Sequence, residues 1–222
     1  MYRSFFLFTC LTLLFSCKKE TGNVNLHHDY FGVEKGRYVI YDAKEITHLS
    51  NNSKDTVEYQ LKTVIGDTVH DNSGRVGYKY RRYKRTTAAD DWNLSDVWFI
   101  IIADHRGELI EENERIVKLV FAPTADKEWN GNAYNTNGEL IYGYEDLHVP
   151  MNINNMHLDS TIKVVQEDVF NLIQWRKKHE IYAKKIGLVR KHYQHLEISN
   201  FDVTNVSTGK ELFLEMIQYG YE

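Results

Sequence analysis

The side chains best able to do chemistry in this 222-residue chain fall in four places. Asp104-His105, with Glu111, Glu112 and Glu114 close behind, supplies an imidazole and several carboxylates, the residue types with which a small hydrolase moves protons. Ten histidines offer metal ligands, grouped as His27-His28-Asp29, Asp104-His105, Asp146-Leu147-His148 and His192-Tyr193-Gln194-His195. On a strand His192 and His195 point to opposite faces, so that pair would not converge on one ion without a bulge. Lys79-Tyr80-Arg81-Arg82-Tyr83-Lys84-Arg85 interleaves cations with aromatic rings, as a single-strand nucleic-acid platform does. Finally, Trp129 sits among Asn130, Asn132, Tyr134, Asn135 and Asn137, where a ring could stack on a sugar and amides could meet its hydroxyls.

Each group also has a plainer reading. Histidines on turns and strand edges are ordinarily solvated, acids in a hairpin ordinarily face water, and cationic strands pair with acidic neighbours. Trp129 would plug a sheet edge while the asparagines make the turn. The chain has no nucleophile elbow, phosphate-cradling glycine loop, zinc-binding His-Glu-x-x-His or dinucleotide fingerprint. The residues therefore point to a non-catalytic module with no metal and no cofactor. Its best ligand candidates are Trp129, Asn130, Asn132 and Tyr134, and a hydrolase using Asp104, His105 and Glu111 is the alternative. The formal charge of −4 argues against nucleic acid, whose binding is dominated by neutralised phosphates.

The charge is unevenly spread. Residues 75–85 hold six basic side chains and no acid, 86–170 hold five basic against sixteen acidic, and 171–195 hold seven basic against the single acid Glu180. Such blocks either set a positive face against a negative one or alternate along strands that pair with each other, and pairing is the simpler outcome.

At the N-terminus Arg3, the apolar run 5–15 and then Ser16-Cys17 have the layout of a secretory signal. Eleven residues are too few for a spanning helix, which needs about 20. Leu14-x-Ser16-Cys17 resembles the bacterial lipobox, and this resemblance implies that Cys17 becomes an acylated N-terminus holding the protein to the outer membrane, facing the periplasm or the cell surface. Cys10 and Cys17 are the only cysteines, so a mature chain starting at Cys17 has no disulfide, cysteine-ligated zinc or catalytic thiol. The expected organisation is a signal peptide over 1–16, a lipid-anchored flexible tether over 17–29 and a single β domain over 30–222.

The elements that must position these groups read as strands. Period-two alternation rich in Tyr, Val, Ile and Thr predicts strands at 38–46, 56–69, 76–85, 97–103, 108–112, 116–121, 140–148, 161–167, 187–198 and 211–219. The run 97–103 is apolar throughout and predicts a central strand covered on both faces, while 169–186 fits helix or strand. Turns are expected at Asp71-Asn72-Ser73-Gly74 and His105-Arg106-Gly107, with a type I′ pair at Asn137-Gly138. The fold class is all-β, a mainly antiparallel curved sheet forming a half-barrel or open barrel with little helix.

Three further patterns carry a resemblance. Tyr30-Phe31-x-x-x-x-Gly36-x-Tyr38-x-x-Tyr41, Trp129-Asn130-Gly131-Asn132 and Tyr182-Ala183-Lys184-Lys185-Ile186-Gly187-Leu188-Val189 resemble a group of Bacteroidota lipoproteins. Members often have Pro-Leu where this chain has Gly32-Val33, and Gly where it has Lys185. The resemblance implies one extracytoplasmic domain, and the last pattern recurs in lipoproteins whose curved sheet resembles the half-barrel of lipoprotein carriers. The expected partners are the membrane, through acyl chains, and a glycan, an apolar ligand or another envelope protein. Asp55-Thr56-Val57, Asp67-Thr68-Val69 and Asp159-Ser160-Thr161 match the O-glycosylation pattern of Bacteroidota envelope proteins.

Overall fold

The computed structural model describes residues 25–51 and 53–222; the leader, Cys17, residues 18–24 of the tether and Asn52 lie outside the described residues. After a 3₁₀ turn, His28–Phe31, the chain forms twelve strands. These are β1 (Arg37–His48), β2 (Lys54–His70), β3 (Val76–Arg85), β4 (Asn93–Ala103), β5 (Arg106–Glu111) and β6 (Glu114–Val120). They continue as β7 (Glu128–Asn130), β8 (Ile141–Ile153), β9 (Met156–Phe170), β10 (Gln174–Ala183), β11 (Gly187–Ser199) and β12 (Asp202–Tyr221). The all-β expectation holds.

One antiparallel sheet contains all twelve, in the order β6-β5-β4-β3-β2-β1-β12-β11-β10-β9-β8-β7. Sequential strands are thus neighbours except for β6 and β7, and the pairing of β1 with β12 joins the two ends of the chain. The result is an up-and-down barrel, which removes sheet edges wherever it closes. It is nearly closed. Among the described residues β6 and β7 share no ladder, and their seam is bridged by Val117 N–H donating to Gly131 C=O at 2.9 Å.

Side-chain alternation explains why the strands curl. On β1 Val39, Tyr41 and Ala43 are buried while Asp42 and Lys44 are exposed, so one face is apolar and the other wet. Burying a residue such as Leu61 stabilises the fold by roughly 1.5 to 3 kcal/mol. One apolar cluster joins Tyr30 and Phe31 to Leu119, Phe121, Tyr142, Tyr144, Ile162, Val164 and Tyr182. A second joins Val39, Tyr41, Leu61, Leu214 and Met216 to Ile153 and Leu158 at the tip of the β8–β9 hairpin.

The 3₁₀ turn plugs one end of the barrel, where β1 begins and β12 ends. Leu26 C=O accepts from Ala122 N–H at 2.8 Å, and Asp29 C=O accepts from Lys185 N–H at 2.7 Å, so the packed domain takes in residues 26–29. Gly32 ends the turn at φ +64°, where a Cβ would lie 2.3 Å from Ile186 C=O. A left-handed residue with backbone that close must be glycine. Gly107 lets the Phe31 ring approach, since its Cβ would fall 2.6 Å from that ring.

Several local expectations need correction. Neither Asn137 nor Gly138 has a positive φ, so they form no type I′ turn; both lie in the loop between β7 and β8. Two-residue turns with both φ positive occur instead at Glu112-Asn113, Asn154-Asn155 and Asn200-Phe201, where the strand ladders on either side force the conformation. The ambiguous 169–186 segment is mainly β10, and β7 was absent from the expected strands. The apolar run of β4 is covered on both faces only in part: Ile100 and Ile101 are buried, but Val97 is exposed.

Candidate functional site

Inside the barrel a cavity of about 520 Å³ runs from the plugged end toward the end that carries the β1–β2, β3–β4 and β5–β6 turns. Phe31, Gly32 and Ile186 form its floor, and Glu45, Thr47, Lys84 and Glu112 stand at its mouth. The wall between is mainly apolar and aromatic, with Tyr41 and Leu61 on β1 and β2, Tyr80 and Ile100 on β3 and β4, and Tyr182 on β10. Tyr41 hydroxyl donates to Leu188 C=O at 2.8 Å, which anchors its ring across the floor. Burial pushes the hydroxyls of Tyr41, Tyr80 and Tyr182 above the usual tyrosine range.

Within this apolar wall sits an ionic cluster. Glu180, 1% exposed, accepts at Oε1 from Lys118 Nζ at 2.6 Å, and Lys191 Nζ lies 3.4 Å from the same oxygen. Its Oε2 accepts from the Tyr182 hydroxyl at 2.6 Å. Burial alone would raise the Glu180 pKa, but the charges of Lys118 and Lys191 with the hydrogen bonds from Lys118 and Tyr182 outweigh it and hold the group at about 2. Strand alternation places these groups. Glu180 and Tyr182 are two apart on β10, and Lys191 lies directly opposite Glu180 on β11.

Nearer the mouth the arrangement repeats. Arg176 and Lys178 share the face of Glu180, and both bind Glu167 on β9, at 3.2 and 2.5 Å. Lys178 Nζ also sits 4.9 Å above the ring of Tyr193, which lines the cavity. Burial works against a charged Glu167, but Lys178 and Arg176 keep it below the usual carboxylate range. Across the mouth Arg82 stacks 3.8 Å over Trp98 and pairs with Asp96 at 3.1 Å. Lys84 lies 4.8 Å above Tyr59, whose hydroxyl donates to Glu45 at 2.5 Å.

The residues singled out from sequence lie elsewhere. Trp129 is packed at the seam against Tyr142 and Tyr144, with ring centroids 5.9 and 4.8 Å away, and its Nε1 donates to Val117 C=O at 3.0 Å. Asn130 Oδ1 accepts from Asn132 N–H and Leu140 N–H, and Asn132 Nδ2 donates to Gly138 C=O, so these amides hold the loop itself together. Tyr134 is exposed, its ring under Arg106 at 4.6 Å. The Asp104-His105-Glu111 cluster does not form, because Asp104 and His105 make the β4–β5 turn and Glu111 ends β5 at the opposite end of the barrel. The length of β5 keeps Glu111 out of hydrogen-bond reach of both Asp104 and His105.

Four of the histidines form two separate pairs. His27 and His148 have ring centroids 4.8 Å apart, and His148 Nδ1 shares a 2.6 Å hydrogen bond with the Tyr30 hydroxyl. His192 stacks on Phe213 beside His179, on the face opposite His195. Among the described residues no three His, Cys, Asp or Glu side chains come together in a way that could hold a metal ion. Of the glycosylation-pattern hydroxyls, Thr56 and Thr68 are exposed, whereas Ser160 Oγ is hydrogen-bonded to Tyr30 and Thr161 is buried.

Sequence reasoning missed Lys118, Glu180 and Lys191 as a site. Two signals were present: Lys118 interrupts the apolar strand Ile116-Val117-Lys118-Leu119-Val120, and Glu180 is the lone acid in a basic stretch. Either marks a charge that must find a partner once buried.

No family model matches the chain, and no curated protein matches it. Among solved structures, one described as an exported protein with a YmcC-like fold from Bacteroides fragilis overlays 84% of this chain and 96% of its own, at 10% identity and a TM-score of 0.41. One described as a lipoprotein from Parabacteroides distasonis covers 86% of this chain and 98% of its own, at 9% identity and a TM-score of 0.36. A third, described as an outer-membrane lipoprotein-sorting protein domain from Vibrio parahaemolyticus, covers 84% and 86%, at 11% identity and a TM-score of 0.23. Overlaps this low leave the function of this chain to be read from its own residues.

Proposed function

We propose that this protein is a non-catalytic, lipid-anchored lipoprotein of the outer membrane that holds a small ligand inside its barrel. The observation that carries the reading is the cavity, about 520 Å³ and walled by Tyr, Leu and Ile side chains from several strands. Its volume falls in the range of small-molecule sites, roughly 300 to 1,000 Å³, and its mix of an apolar wall with a few placed charges is how such sites are built. Orientation supports it as well. Residue 25 enters at the plugged end, so a chain anchored at Cys17, at most about 30 Å further along when extended, would approach the barrel from the end opposite its mouth.

Filling the cavity tests the binding function. Ile100→Trp, placed on the wall above the floor, should abolish uptake of a fluorescent apolar probe that the unmodified chain takes up one to one; uptake unchanged by the substitution would place the ligand outside the barrel. Anchoring has its own test. Cys17→Ala should move the protein from the membrane to the soluble fraction, because each buried CH₂ of an acyl chain contributes about 0.8 kcal/mol and no described helix is long and apolar enough to cross a membrane. Unchanged fractionation, with no mass increment on Cys17, would sink the lipoprotein reading.

A further inference from the structure

The ionic groups in the middle of the cavity do not balance. Lys118 and Lys191 share the one carboxylate of Glu180. An ammonium carries three N–H donors, so this pair has six, of which Glu180 Oε1 takes one from Lys118 and faces Lys191 Nζ as an ion pair at 3.4 Å, while Oε2 is taken by Tyr182. The centre of the cavity therefore holds one surplus positive charge and unused donors beside a carboxylate whose two oxygens are already bound. Arg176 and Lys178 around Glu167 repeat the excess further along β10, next to but not among the lining residues. The remaining acids of the lining stand toward the mouth: Glu45 accepts from Tyr59, Glu111 ends β5, Glu112 is exposed in the adjoining turn, and Glu211 is paired with His48 at 2.7 Å.

A surplus cation in an apolar cup is unfavourable unless something of opposite charge meets it. Lys118 is only 8% exposed, so bulk water reaches it poorly. The wall around it is apolar, with Leu61, Tyr80, Ile100 and Tyr182 among its members. The faces best suited to sugar stacking, Trp98 and Tyr59, are already covered by Arg82 and Lys84. We infer that the cavity takes an amphiphile with one anionic head, carboxylate or phosphate, the head meeting Lys118 and Lys191 and the body lying along the apolar wall. This rests on the proposed ligand-binding role and adds the charge and shape of the ligand.

The test is calorimetric titration of the full chain in phosphatidylcholine nanodiscs with decanoate, decyl phosphate and decanol, corrected against empty nanodiscs. Both anions should bind, and decanol should bind about tenfold more weakly or worse, since hydrogen bonds to charged groups are worth roughly 1.5 to 3 kcal/mol. Lys191→Met should lower affinity for the anions about tenfold and leave decanol unchanged. Lys118→Met/Glu180→Gln, which removes one charge of each sign and so limits damage to the fold, should do the same. The preferred anion separates a carboxylate ligand from a phosphate one. Equal affinity for decanol and decanoate, or no effect of Lys191→Met, overturns the inference while leaving a ligand-binding barrel. Binding of none of the three probes overturns the ligand-binding role itself.

Discussion

Lys118→Met should lower the unfolding free energy by about 3 kcal/mol, because it leaves the buried carboxylate of Glu180 with Lys191 at 3.4 Å and the Tyr182 hydroxyl as its remaining partners. The methionine matches the lysine stem, so the loss reports the charge. Adding Glu180→Gln should recover at least half of it, since the stranded charge is then gone. Urea unfolding of the three variants measures both numbers, and a Lys118→Met loss under ~1 kcal/mol would mean that Glu180 is solvated in the native state.

The same cluster sets an acid limit. Glu180 titrates at about 2 in the folded protein against an ordinary value of 4.5, so the folded state binds fewer protons than the unfolded one between these values. Its contribution is complete above 4.5 and is lost as pH falls toward 2. Glu180→Gln should therefore flatten the fall in stability over that interval.

Trp129→Ala should cost about 3 kcal/mol, at the lower end of the usual range for removing a large aromatic side chain because the ring is only partly buried. The loss has two sources: the contacts with Tyr142 and Tyr144, and the hydrogen bond from Nε1 to Val117 C=O that ties β7 to β6 across the seam. Trp129→Phe separates them, keeping most of the ring contact and losing about 1 kcal/mol for the hydrogen bond. An unfolding midpoint unmoved by Trp129→Ala would instead mark Trp129 as a recognition residue of the loop with Asn130, Asn132 and Tyr134.

The two substitutions act on different parts of one device. Trp129 closes the ring of strands where β6 and β7 share no ladder, and Lys118, one residue from the seam contact at Val117, reaches inward from β6 to Glu180 on β10. Weakening the seam should loosen the wall that holds Lys118 over the cavity.

How much of this was legible in the residues differs by scale. Alternation alone placed β3 at 76–85 and came within a few residues for β1, β2 and β11, because a strand with one dry face must repeat every two residues. The cross-strand pairing anticipated from the charge blocks appears in Arg82–Asp96, Arg176–Glu167 and Lys178–Glu167. Segment 169–186 was ambiguous because its inward side chains, Arg176, Lys178 and Glu180, are charged, and a polar interior erases the contrast on which period-two reading depends. Asn137-Gly138 misled because a turn-forming dipeptide adopts the turn only where two strands pair on either side of it, and here the chain runs out into a loop.

The sequence by itself determined the all-β class and most of the strands, since these follow from local alternation and turn residues. It also carried the lipobox pattern at Leu14 to Cys17, which is read from adjacent residues alone. The site was decided only by the tertiary structure. Lys118 and Glu180 are 62 positions apart, and nothing local to either says that closing twelve strands into a ring sets them 2.6 Å from each other inside an apolar cup. Asp104-His105 and Glu111 were separated by the one strand β5, because a strand holds its two ends apart however close they lie in sequence.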